Sequence, residues 1–202
     1  MPKLINSKQK FTLVCLSILF IGCSYSPYHY DFSLIEPKSE AMSFTDNNVR
    51  FEFVPSPENI RVSIENKSNH EISFIRDNAR YIDFSGKSHL VYYGNDYVDE
   101  VINFVNEYHR HAPRIKIAPN SEIRGYVWIN NWQSSITGEG ASTYPITSHD
   151  ISNQMEPLFP RYRFEGRGDE LKDSKFSLIL PIDFDGQIAN YAFNFMIDDV
   201  KE

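Results

Sequence analysis

Apolar residues recur at every second position along much of this chain, and that period decides the fold class first. Val49, Phe51 and Phe53 alternate with Arg50 and Glu52, and Ile60, Val62 and Ile64 alternate with Arg61, Ser63 and Glu65. Tyr191, Phe193, Phe195 and Ile197 repeat the pattern near the C-terminus, with Asn190 and Asn194 on the other face. Successive side chains of a strand point to opposite faces, so each stretch reads as a strand with one face in a core and one in water. The aromatic share of 14% suits this, because flat rings pack well across a pleated surface.

Turn chemistry separates the strands. Asn66-Lys67-Ser68-Asn69 precedes Ile72-Ser73-Phe74, and Ser85-Gly86-Lys87 parts 81–84 from 89–93. Asp185-Gly186, between 176–184 and 187–197, fits a tight two-residue hairpin. Ile115, Ile117 and 123–129 continue the series. Roughly eight or nine short strands at close intervals, without alternating long helices, predict a mainly β chain folded as an antiparallel sandwich over 49–202. One segment differs. Over 96–109, Val98, Val101, Ile102, Val105 and Tyr108 fall on one helical face with Asp96 placed as N-cap. Most of these residues are β-branched, so one short helix and a further strand are both open there.

The N-terminus gives an address. It carries Lys3, Lys8 and Lys10 without an acid, followed by a largely apolar run over 11–21. That run is shorter than the roughly 20 residues a membrane-crossing helix needs. A basic start and a short apolar core read as a secretory signal peptide. The run closes with Leu19-Phe20-Ile21-Gly22-Cys23, which resembles the lipobox of bacterial lipoproteins, with Phe20 where Leu is commoner. The resemblance implies that 1–22 is a lipoprotein signal peptide, and that lipid on Cys23, palmitate-like chains included, holds the protein to a membrane. Ser24 stands where Asp would signal inner-membrane retention, which implies the outer membrane of a bacterial envelope. Residues 23–48, polar and carrying Pro27 and Pro37, then read as a lipidated tether with room for one short strand near Phe32, Leu34 and Ile35.

Charge and cysteine usage narrow the functions. Removing 1–22 takes away the leader's lysines and no acid, so the formal net charge of −7 becomes −10. Phosphate backbones repel such a domain, which argues against nucleic acid as partner. Cys15 leaves with the leader, so the mature domain has no disulfide, no thiolate nucleophile and no cysteine metal site.

The stretch from Ile60 to Val91, with Ile64-Glu65-Asn66-Lys67-Ser68, Tyr81-Ile82-Asp83 and Gly86-Lys87-Ser88, resembles a loose family of uncharacterised bacterial lipoproteins. Ile117-Ala118-Pro119-Asn120-Ser121 and the Asp185-Gly186 hairpin match its general layout. The resemblance implies an immunoglobulin-like β-sandwich and supplies no activity or site residues.

Candidate chemistry is sparse. Glu107, His109 and His111 are the densest ligand cluster, but their spacing matches no established metal pattern. There is no Gly-x-Ser-x-Gly elbow, and the paired carboxylates Asp198-Asp199 and Asp169-Glu170 fall in turn or terminal contexts. No cofactor or metal site is expected, and the chain reads as non-catalytic; an enzyme with an unfamiliar metal-dependent or glycan-directed site is the alternative. The long segment 130–174 holds Met155, Leu158 and Phe159, which either anchor an envelope protein partner or fold back over an open end of the core. In the first case the chain is an accessory subunit of an envelope assembly. Trp128 and Trp132 are further partner-binding candidates, Trp128 because it lies on the strand face opposite Val127 and Ile129.

Overall fold

A computed structural model describes residues 26–104, 112–130, 151 and 155–202 of the chain. The strands are β1 (His29–Glu36), β2 (Lys38–Ser39), β3 (Ser43–Thr45), β4 (Val49–Pro55), β5 (Ile60–Asn66), β6 (Ile72–Phe74), β7 (Arg80–Ile82) and β8 (Ser88–Gly94). Helix α1 (Tyr97–Asn103) follows, then β9 (Ile115–Ile117), β10 (Glu122–Ile129), β11 (Lys175–Phe184) and β12 (Gln187–Lys201). The chain is mainly β, every strand pair is antiparallel, and the order β2-β1-β12-β11-β7-β8-β10-β5-β4-β3 runs without a break through a 12-stranded sheet that is nearly closed as a barrel. Strands β6 and β9 lie off this path, with β6 between β11 and β9.

The sheet curls because β8 changes partner halfway. Ser88, His89 and Leu90 pair with β7, whereas Val91 to Gly94 pair with Ile129 to Tyr126 of β10. A strand that leaves one neighbour for another turns a corner in the sheet. Both halves then face each other across aromatic rings. Phe53 lies 4.5 Å from Phe193 and 5.3 Å from Phe195, and Phe51 lies 5.0 Å from Phe193, ring centre to ring centre. Tilted and edge-on pairs of this kind add about 0.5–1.5 kcal/mol each beyond the area they bury. These rings are the residues that the period-two pattern of β4 and β12 points inward.

Local chemistry explains the turns. Asp185 and Gly186 have φ of 54° and 92°, the left-handed pair that a two-residue hairpin between twisted strands requires. The Asp183 carboxylate accepts the Gly186 N–H at 2.6 Å and closes the turn. Pro181 sits inside β11, where a missing N–H is normally excluded. Its carbonyl accepts from Ile75 N–H at 3.0 Å, so its nitrogen also faces the β6 and β7 side. There the neighbouring chain leaves the ladder for a single 3₁₀ turn over Arg76–Asn78. The bond that proline cannot make therefore falls where no strand is waiting for it.

The expected tether is shorter than 23–48. From His29 to Glu36 the chain is a strand paired with β12, and Ser43–Thr45 is paired with β4. Tyr30, Phe32 and Leu34 supply its inward face, and Tyr28 and Leu34 are buried. Their burial outweighs the polar composition that suggested a free linker. Over 97–103 the segment expected as helix or strand is a helix. Asp96 caps it by accepting from the N–H groups of Val98 at 2.9 Å and Asp99 at 3.1 Å.

Candidate functional site

Among the described residues two concavities are candidates, and their sizes separate them. The first lies behind the corner strand. The 3₁₀ turn beside Pro181 points Arg76 inward, and α1 brings Glu100 to meet it at 3.0 Å. Arg76 also donates to the carbonyls of Pro113 at 3.1 Å and Tyr93 at 3.3 Å. Burial pushes the Glu100 carboxyl above its ordinary value, and Arg76 pulls against that shift. Glu100 lies directly over Gly94, where a β-carbon would come within 2.2 Å of its Oε1. The cavity beside this pair, lined by Arg76, Tyr92, Glu100, Phe104 and Asn130 among others, holds about 40 Å³. That is room for a water or two and not for an organic ligand. The buried Tyr92 Oη and Asn130 Oδ1 border it and have no hydrogen-bond partner among the described residues. The pair clamps α1 to the sheet, and that is a structural task.

The second is a groove of about 550 Å³ at the open mouth of the curled sheet. This lies within the usual range for ligand sites. Phe184, Ala189 and Tyr191 form one wall, and Asn48 and His70 form the other. The first wall is the tip of the β11–β12 hairpin. The second is held by Asn66, a fully buried side chain that donates to the carbonyls of His70 at 2.7 Å and Ile117 at 2.9 Å. Its Oδ1 accepts from Ser68 N–H at 2.9 Å and Ser68 Oγ–H at 2.7 Å. From the first wall Tyr191 donates to Asp46 Oδ2 at 2.8 Å. Burial, and then the Asp46 carboxylate, raise the Tyr191 phenol well above its ordinary range. Ile188 also lines the groove and is 52% exposed.

The residues expected to bind a partner fall elsewhere. Leu158 and Phe159 are buried in the main core, with Phe159 5.1 Å from Phe176 and 5.6 Å from Tyr30. Met155 is half-buried against a second cluster formed by Tyr92, Tyr97, Val101, Phe104, Trp128 and Ile151. Trp128 does face away from Val127 and Ile129, but α1 covers it, and its ring meets Tyr97 at 5.8 Å. These side chains therefore serve as packing and not as solvent-facing anchors, because each has an apolar surface of the same chain to cover. Trp132, Cys23, Glu107, His109 and His111 lie outside the described residues. Sequence reading misses the groove entirely. Its one local signal is an uncharged run, Gln187-Ile188-Ala189-Asn190-Tyr191-Ala192-Phe193-Asn194, directly after a hairpin turn.

The chain matches no protein-family model, no curated protein and no solved structure.

Proposed function

We propose that this chain is a lipid-anchored lipoprotein of the bacterial envelope, at the outer membrane, that works without catalysis as a binding or structural module. The observation that carries the reading is the placement of two features at opposite ends of one strand. His29 pairs with Lys201 at the C-terminal end of β12, and His29 is only a few residues beyond the lipobox-like Cys23. The groove lies at the Gln187 end of the same 15-residue strand. At about 3.3 Å per residue this separates anchor and groove by roughly 45 Å along the strand. Lipid on Cys23 would hold one end near the bilayer, and the groove would face away from it toward an envelope protein partner. The finer fold reading, an immunoglobulin-like sandwich, is supported by the face-to-face packing of the two sheet halves; an experimental structure with separate sheets on either side of β8 is its test.

Mass spectrometry of the N-terminal peptide from cells tests the anchor. Acylated Cys23 at the new N-terminus is the expected result, with Cys23→Ser moving the protein out of the membrane fraction. An unmodified Met1 terminus would sink the reading. For the groove, mild crosslinking in cells is expected to capture an envelope protein whose recovery drops in Ala189→Trp, a change that fills the groove. Equal recovery from both would place the binding surface elsewhere.

A further inference from the structure

We propose that the distal part of β12 binds an extended peptide segment of a partner protein by strand addition. This rests on the groove reading above and names what occupies it. Strand β1 covers β12 only from Asn194 to Lys201, and β11 covers it from Gln187 to Met196. Past Glu36 the chain turns to β2, on the far side of β1, so Gln187 to Phe193 keep β11 as their only strand neighbour among the described residues. The hairpin closes on the Phe184–Gln187 pair, and antiparallel bonding alternates from there. The N–H and C=O groups of Ile188, Asn190 and Ala192 therefore point away from β11. Among the described residues no other backbone group bonds them. Ile188, Asn190 and Ala192 are exposed, so the outward face beside this unpaired edge is clear of other described segments.

Natural edges are usually blunted by charge, proline or a bulge. This one has none of these between Gln187 and Asn194. Strand addition draws affinity from main-chain bonds and specificity from pockets for alternate side chains. Both parts are present here. The inward side chains of an added strand would lie beside Ala189 and Tyr191, over the groove, so an apolar residue at its centre fits. Charge selects the flanks. Glu36 stands at one end of the open edge and Asp185 at the other. A second copy of the chain, pairing antiparallel, would set Glu36 against Asp185 at both ends. A peptide with basic flanks meets opposite charge at both, and it is the occupant the edge favours.

The test uses the full-length chain in detergent and a pool of peptides of the form Lys-Thr-Val-Thr-X-Thr-Val-Thr-Lys, with each apolar residue in turn at X. Fluorescence anisotropy is expected to show saturable binding, with slowed amide exchange at Ile188, Asn190 and Ala192. Asn190→Pro removes one outward N–H and no bond to β11, so it should weaken binding by about tenfold or more with an unchanged circular dichroism spectrum. In case that variant does not fold, N-methylation of the peptide should abolish binding on one face of its backbone and leave it intact on the other. Binding insensitive to methylation on either face, with changes confined to Phe184 and Tyr191, would overturn strand addition while leaving the groove as a ligand site. No binding by any member of the pool, or a dimer of the chain that the peptides cannot disrupt, would also overturn it.

Discussion

The two ends of β12 share one period-two pattern yet live in different surroundings. From Asn194 onward the strand has β1 on one side; β11 lies on the other as far as Met196, Ser174 and Asp173 bond Ile197 beyond it, and Phe195 and Ile197 are wholly buried. Lys201 joins Asp31 at 2.6 Å and Lys172 joins Asp199 at 3.1 Å across its neighbours. From Gln187 to Phe193 one side has no strand neighbour among the described residues, and the inward residues Ala189 and Tyr191 are only half-buried. The difference teaches that alternation assigns faces and not edges. One end of the strand is interior architecture, and the other end offers a surface.

The sharpest way to break this comparison is to cut the core at the covered end. Phe195→Ala removes a ring that packs against Phe53 at 5.3 Å and Phe176 at 5.0 Å, and should cost about 3–5 kcal/mol in urea unfolding. A loss under about 1 kcal/mol would mean that the covered end is not the better packed one. Next comes the wall of the distal groove. Asn66→Ala removes the bonds to the carbonyls of His70 and Ile117 and strands the Ser68 N–H, while the Ser68 hydroxyl keeps the His70 carbonyl, and should cost about 2–4 kcal/mol. Amide exchange should quicken at 68–70 before it does around β1.

A matched proline pair isolates the edge itself. Met196 pairs with Ser33 of β1, so Met196→Pro removes a ladder bond and should cost about 2–3 kcal/mol. Asn190→Pro makes the same covalent change where no described strand bonds the lost N–H, and should cost less than about 1 kcal/mol. Equal costs would show that the distal edge is covered after all.

The smallest expected effects are those of pH, and they have opposite signs at the two ends. Near the anchor, burial raises Glu165, but hydrogen bonds from Arg161 and its charge outweigh burial and hold the carboxyl below its ordinary value. A depressed carboxyl contributes stability that is full above its unfolded value of 4.5 and is lost as pH falls through the lower folded value. At the groove Tyr191 is raised, so its contribution is full below pH 10 and is lost as pH rises through the folded value. Methyl spectra recorded from about pH 3 to about pH 11 should therefore broaden around Leu158 in acid while Ile188 stays sharp, and Ile188 should broaden only in base. Broadening of Ile188 in acid would count against the assignment.

Much of this is legible in particular residues. The faces of β4, β5 and β12 follow from Phe51, Val62 and Phe193 alternating with polar neighbours, and the Asp185-Gly186 turn and the Asp96 cap follow from local chemistry. Strand β1 is harder to see. Tyr30, Phe32 and Leu34 do alternate, but irregular register beside Asp31 and beyond Leu34, and prolines at 27 and 37, hide the pattern. The face that Trp128 takes on β10 can be read from its neighbours, yet nothing nearby in sequence says that α1 covers it. Arg76 and Glu100 carry no signal, since an isolated Arg and Glu are by default exposed.

What the sequence alone determined is local: where strands alternate, where the chain turns and where a helix starts. These depend on bond geometry and on neighbours a few positions away, so they can be read residue by residue. Which strand lies beside which, where the curl leaves a mouth and which part of β12 stays uncovered were decided only in three dimensions. Those outcomes come from contacts between distant segments such as β1 and β12, and the energies that choose among them exist only once the segments meet.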